Sequence, residues 1–157
     1  MSSKNDKFYL KLALNLAKQH EGLTSENPSV GCVIVKNNKI LSLSKTSING
    51  RPHAEENAIK MAGKEVVGST IYITLEPCNL LDNSFSCTKK IINSGIKKVV
   101  IGALDPNPLT YKKGYNELVK NGIDVVVKKV SFENLYTSIK RFYLFLILVK
   151  NKKNQKF

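Results

Sequence analysis

His53, Cys78 and Cys87 are the side chains best suited to form a chemical centre, and they lie in the strings PHAEEN and LEPCNLLDNSFSC. One neutral imidazole and two thiolates make a good tetrahedral set for Zn2+, and three protein ligands leave the fourth position to water. The two thiolates cancel the formal charge of the ion, yet water held there still loses a proton far more readily than bulk water. All three residues follow turns at predicted helix starts, and the helix N-termini at His53 and Cys87 add positive potential that favours thiolate and hydroxide. Glu55 stands two residues after the histidine. On the first turn of that helix its carboxylate can reach water beside the ion without being a ligand, which suits it to carry protons in a hydrolysis.

A structural zinc site is the competing reading. Such sites are closed by a fourth protein ligand, and the one candidate is Cys32, which lies in the apolar run SVGCVIV and reads as a small core residue of a buried strand. In that reading Glu55 would have no task. His20 reads as an exposed residue at a helix end, where it favours the dipole. Glu76, just before Pro77, reads as a loop charge without a catalytic role.

The elements that must position these residues follow from periodicity. From Asp6 to Gln19 the residues Phe8, Tyr9, Leu12, Ala13, Leu16 and Ala17 recur at helical spacing, with Asn5 or Asp6 as cap. Val30–Val35 and Ile40–Leu43 flank KNNK and predict a hairpin with an Asn-Asn turn. Residues 53–62 read as a helix ended by Gly63. A strand at Ile71–Leu75 follows, then a helix at Cys87–Asn93 closed by Gly95 and a strand at Val99–Ala103. Tyr115–Lys120 is helical, Ile123–Val127 is the last strand, and a final helix runs from 131 to about 149. This order implies a three-layer α/β/α fold around a mixed, mainly parallel five-stranded sheet. The organisation is a single domain over 1–157, with a core to about residue 130 and a C-terminal helix and basic tail over 131–157.

Composition bounds the function. The chain has 157 residues, 42% of them hydrophobic and 24% charged, which suits one globular domain with a single core. The longest apolar run, Phe142–Val149, is too short for a membrane span of about 20 residues. The N-terminus has no secretory-type apolar block, so the chain reads as soluble and cytoplasmic. The net charge of +13 invites a nucleic-acid reading, but 23 of the 25 basic residues are lysine and only Arg51 and Arg141 are arginine. Recognition of bases and phosphates favours the planar arginine fork. The lysines are scattered and accompany 16 asparagines, a bias of composition rather than a footprint for nucleic acid.

With HAE, EPC and the second cysteine in place, the chain shows the H-x-E…P-C arrangement of zinc deaminases and resembles the cytidine-deaminase-like superfamily over roughly residues 5–140. Eight residues separate Cys78 from Cys87, where nucleic-acid and cytidine deaminases typically have two. That spacing resembles the deaminase domain of the bifunctional riboflavin-biosynthesis deaminase/reductases. The segments NPSVGCVIV, NGRPHAEENAI, STIYITLEPC and VVIGALDPNP are similar to that family as well. The resemblance implies Zn2+ as cofactor and Glu55 as proton shuttle. It implies hydrolysis of the 2-amino group of 2,5-diamino-6-ribosylamino-4(3H)-pyrimidinone 5′-phosphate to the aminouracil and ammonia. It further implies substrate contacts from Asn27 to pyrimidine or sugar, from Thr46, and from Asp105 and Asn107 near the ribosyl phosphate. Without it, NPSVG and DPNP are simply turns.

The departures from the family lie in the substrate loop. The family carries a histidine two residues after the first cysteine, then glycine and a basic residue; this chain has Leu80, Asp82 and Asn83 in that stretch. Thr46 stands where many members have another histidine. The reductase domain is absent, and FYLFLILVKNKKNQKF does not resemble its opening. The expected partners are a small pyrimidine nucleotide, a separate reductase and a second copy in a homodimer, with no nucleic acid and no membrane. The alternatives are a paralogue that deaminates another base, nucleoside or nucleic acid, and an inactive zinc-binding subunit that partners a reductase.

Overall fold

The computed structural model describes residues 3–80 and 84–128, so the helix expected from 131 lies outside the described residues. Among the described residues four α-helices, α1 (Ser3–Lys18), α2 (Ala54–Ala62), α3 (Cys87–Asn93) and α4 (Lys113–Lys120), accompany five strands. The strands are β1 (Gly31–Lys36), β2 (Lys39–Lys45), β3 (Thr70–Ile73), β4 (Lys98–Ile101) and β5 (Asp124–Val127). They form one sheet in the order β2-β1-β3-β4-β5.

The hairpin forms as its turn chemistry dictates. Asn37 and Asn38 both take positive φ, 50° and 61°, which lets a two-residue turn match the twist of β1 and β2. β1 then pairs antiparallel with β3, whereas β3, β4 and β5 run parallel. The sheet is therefore mixed in equal parts rather than mainly parallel, because β3 returns beside β1 in the opposite sense.

Both faces of the central strands are covered, which explains their unbroken apolar runs. Cys32, Ile34, Ile71, Ile73, Val99 and Ile101 share one core with Ala54 and Ala58 of α2, Ile91 of α3 and Leu118 of α4. The alternate residues Val33, Val35, Tyr72 and Val100 pack against Tyr9, Leu10 and Ala13 of α1. The result is the three-layer α/β/α arrangement.

Two expectations about α1 need correction. Its buried stripe is Tyr9, Leu10, Ala13, Leu14 and Ala17, while Phe8 stays 59% exposed. The helix is rotated so that the Tyr9 ring meets Tyr72, centroid to centroid at 4.9 Å. Asp6 does not cap the helix, which begins at Ser3. It is buried instead, accepting the Tyr72 hydroxyl at 3.1 Å and pairing with Lys128 at 3.1 Å.

The register decides where chemistry can gather. Gly31 at the start of β1 faces Lys45 at the end of β2, and Cys32 faces Ile73 at the end of β3. Ile73 is also level with Ile101 at the end of β4. The segments 27–30, 46–53, 74–87 and 102–112 therefore all leave the sheet at one edge. The carboxyl ends of parallel strands are where open α/β sheets place their ligands.

Candidate metal centre and active site

At that edge the structure brings His53, Cys78 and Cys87 together, with one ligand atom from each lying within 4.8 Å of the others. His53 immediately precedes α2, and Cys87 is the first residue of α3. Cys78 lies on the segment between β3 and α3 and takes the backbone N–H of Cys87 at 3.5 Å on its sulfur. Ser86 caps α3 by accepting the N–H of Lys89, which fixes the turn that delivers Cys87.

The separations suit a metal. His53 Nδ1 is 3.7 Å from Cys78 Sγ and 3.3 Å from Cys87 Sγ. With Zn–S about 2.3 Å and Zn–N about 2.0 Å, tetrahedral ligands stand roughly 3.5 Å apart, between those two values. Without a cation the three groups share protons. Hydrogen bonds from Cys87 and His53 lower the Cys78 thiol to about 4. The partner thiol Cys87 is driven up by its bond to Cys78 and by burial, and the His53 imidazole is raised, chiefly by Cys78. A divalent cation would replace those protons, since its ligands are thiolate and neutral imidazole. Nδ1 is thus the metal-facing nitrogen, and the buried Nε2 has no hydrogen-bond partner among the described residues.

Cys32 does not join the group, so no fourth protein ligand closes the site among the described residues. Its thiol is wholly buried and raised by desolvation, with the Glu55 charge adding to the effect, as befits a core residue behind the site. Glu55 is also outside the ligand group. It is 3% exposed, and its Oε2 is buried with no hydrogen-bond partner. Burial first, then the Cys78 charge, pushes its carboxyl up to about 7, against the opposing effects of His53 and of a hydrogen bond from Cys87. A buried, unpaired carboxylate oxygen beside an ion site is a costly arrangement that hydrolytic proton transfer would explain.

The other expected site residues reach the same edge in different ways. Asn27 is half-buried and packs on Gly50, whose φ of 91° and lack of Cβ allow the approach; an added Cβ would meet Asn27 Nδ2 at 2.5 Å. Thr46 is 1% exposed, and its hydroxyl is occupied with the N–H of Val30 at 3.0 Å and the carbonyl of Pro28 at 3.3 Å. It ties the end of β2 to the segment before β1. Asp105 and Asn107 are half-buried after β4. Asp105 Oδ1 accepts the N–H of Asn107 at 3.0 Å, and Asn107 Oδ1 accepts that of Leu109 at 3.1 Å, so the segment is folded by its own side chains.

Two sequence readings fail here. His20 is half-buried rather than exposed, with Nδ1 at 2.7 Å from the carbonyl of Thr46. Glu76 is no free loop charge: it is 6% exposed and accepts three backbone N–H groups. Its distant partners left no local signal in the sequence. Leu80 and Phe85, in the altered loop, are 39% and 49% exposed, and the Arg51 guanidinium lies 5.1 Å over the Phe85 ring.

Fold and site together define a zinc-dependent deaminase of the cytidine-deaminase type, and residues 3–103 match the cytidine and deoxycytidylate deaminase zinc-binding region. The riboflavin biosynthesis protein RibD of Aquifex aeolicus is 50% identical over 122 residues, 78% of this chain but 34% of that protein. The diaminohydroxyphosphoribosylamino-pyrimidine deaminase of Buchnera aphidicola (subspecies Schizaphis graminum) is 49% identical over 129 residues, 82% of this chain and 88% of that protein. Among solved structures, RibD of Acinetobacter baumannii superposes with a TM-score of 0.79 at 36% identity, over 88% of this chain and 38% of that one. The chain belongs to the diaminohydroxyphosphoribosylaminopyrimidine deaminase family. It spans about a third of the length of the RibD proteins. Zinc is the cofactor to which this region corresponds.

Proposed function

We propose that the chain hydrolytically deaminates 2,5-diamino-6-ribosylamino-4(3H)-pyrimidinone 5′-phosphate, releasing ammonia and leaving a carbonyl at the 2-position. The observation that carries this reading is the buried Glu55 carboxyl, whose Oε2 has no hydrogen-bond partner, beside a group of three metal-ligand-type side chains to which no fourth protein ligand is added among the described residues. Kinship supports the substrate, since a relative covered over 88% of its length carries the deaminase name alone.

His53, Cys78 and Cys87 hold the zinc. When bound, the metal supplies the Lewis acidity that makes water a nucleophile near neutral pH. Glu55 takes a proton from the attacking water and delivers it to the ring nitrogen adjacent to the 2-carbon. The same carboxylate then passes the second proton to the departing amine. Its place beside the ligand group suits it to both directions of transfer, because a carboxyl that is not itself a ligand stays free to take a proton and give it back. Asn27, Asp105 and Asn107 line the edge from which the heterocycle and its ribosyl phosphate approach, and Thr46 supports the first of them from behind.

Ammonia release from the diaminopyrimidinone phosphate by zinc-loaded protein tests the proposal. Turnover abolished by chelation and restored by added zinc is the expected result. Turnover of cytidine, deoxycytidylate or an oligonucleotide in preference to that compound would overturn the substrate assignment.

A further inference from the structure

Glu76 is a buried carboxylate, two residues before Cys78, that the deamination chemistry does not use. Glu76 follows β3 and directly precedes Pro77 and Cys78. Its Oε2 accepts the N–H groups of Asp105 and Lys112, and its Oε1 accepts that of Tyr115, each at 3.1 Å. Its own N–H donates to the carbonyl of Ala103 at 2.8 Å. One residue therefore grips both ends of the 105–112 segment.

The grip replaces a cap that the local sequence does not provide. α4 is preceded by Lys112, which offers no side-chain cap and sits at φ 59°, a left-handed conformation that a lysine keeps only when its surroundings impose it. The N–H of Tyr115 is one of the donors that a helix start leaves without an intrahelical partner. A carboxylate there satisfies the donor and matches the helix dipole. The close seating is visible nearby: a Cβ on Gly114 would lie 2.2 Å from the carbonyl oxygen of Pro77, and Asn79 Nδ2 donates to the carbonyl of Lys113 at 3.4 Å.

We infer that Glu76 is a positioning residue that clamps the 105–112 segment to the cysteine-bearing loop, so that Asp105 and Asn107 are presented to substrate at a fixed distance from the zinc. This inference rests on the proposed deaminase function for its kinetic consequence, though not for the clamp itself. A glutamine at 76 keeps an oxygen for two of the three donors but turns an NH2 group toward the third. An alanine removes all three acceptors.

The test uses zinc-loaded full-length protein carrying Glu76→Gln or Glu76→Ala, with zinc content, amide hydrogen exchange and steady-state kinetics read together. Zinc content should stay at the wild-type level. Exchange at Tyr115 should speed up in Glu76→Gln, and at Asp105, Lys112 and Tyr115 in Glu76→Ala. KM for the diaminopyrimidinone phosphate should rise roughly tenfold or more in Glu76→Ala, and less in Glu76→Gln, with kcat much less affected. Wild-type KM in a variant whose three amides exchange freely would overturn the inference, as would loss of zinc in parallel with activity. If Glu76→Ala does not fold, the milder Glu76→Gln decides by the same two readouts. If the wild-type protein releases no ammonia from that compound, the functional reading fails, and unchanged exchange at the three amides would then sink the clamp separately.

Discussion

At the scale of single residues, the proposed reaction asks most of Glu55, whose Oε2 is buried without a hydrogen-bond partner. Its carboxyl is raised to about 7, mainly by burial. Glu55→Gln should retain zinc and fold yet lose most turnover. Proton-transfer groups contribute about 10²–10⁴-fold, and one that serves successive steps belongs at the upper end. The same substitution should leave a mark on stability when the metal is chelated. A carboxyl whose folded pKa exceeds its unfolded value binds its proton more tightly when folded. Its favourable contribution is therefore full below about pH 4.5 and lost as pH rises through about 7. By pH 8 the ionised, buried Glu55 costs the metal-free fold roughly 3 kcal/mol. Metal-free Glu55→Gln should accordingly melt above metal-free wild type at pH 8 and level with it near pH 4. Calorimetry at the two pH values checks this, and equal melting points at pH 8 would mean that the carboxylate is not penalised by its site.

At the scale of elements, what was legible in the sequence was whatever is local. Asn37-Asn38 gave the hairpin turn because two consecutive positive φ values are a property of those residues. The cluster of His53, Cys78 and Cys87 was legible because side chains able to hold a metal are few in type. The stripe of α1 was misread by one position, since Leu10 and Leu14 are as apolar as Leu12 and Leu16, and only contact with Tyr72 chooses between the two faces. Glu76 was invisible for a different reason. Its partners are backbone N–H groups 29 to 39 residues downstream, and every residue has one. The start of α4 is likewise set by close approach rather than by a capping signal. Gly114→Ala would drive a methyl group into the Pro77 carbonyl at 2.2 Å. The helix must then retreat from the segment that leads to Cys78, at a cost typical of overpacking, about 1–3 kcal/mol. Thermal unfolding of the zinc-loaded variant should show that loss despite alanine's better helix propensity. A melting point at or above wild type would mean that the α4 start is free to move.

At the scale of the whole molecule, the question is what a net charge of +13 does on a protein with a small-molecule site. The charge is unevenly spread along the sequence: residues 129–157 contain seven of the 25 basic residues and one of the 12 acidic ones. Within the described residues several lysines are already engaged, Lys89 with Glu117, Lys90 with Glu56 and Lys128 with Asp6. Lys45 is bonded to the Gln19 side chain, and the Lys112 ammonium lies 5.6 Å over the Tyr111 ring. Among the described residues Arg51 is the one arginine, its guanidinium lies over the Phe85 ring, and no row of stacking aromatics extends from it to follow a strand of bases. Nonspecific attraction to phosphate remains, because every free lysine that meets a polyanion releases counterions. Single-stranded DNA or RNA should therefore bind at low ionic strength and let go steeply as salt rises, with little difference between sequences. Neither should be deaminated at a rate comparable with the mononucleotide. Titrations at about 50 and 200 mM salt should differ by roughly 300-fold if some six phosphates of a single strand are engaged, with shallower losses for fewer contacts. Binding that survives the higher salt, together with deamination of a base inside the oligonucleotide, would mean that the charge is a substrate surface and that the small-nucleotide assignment is wrong.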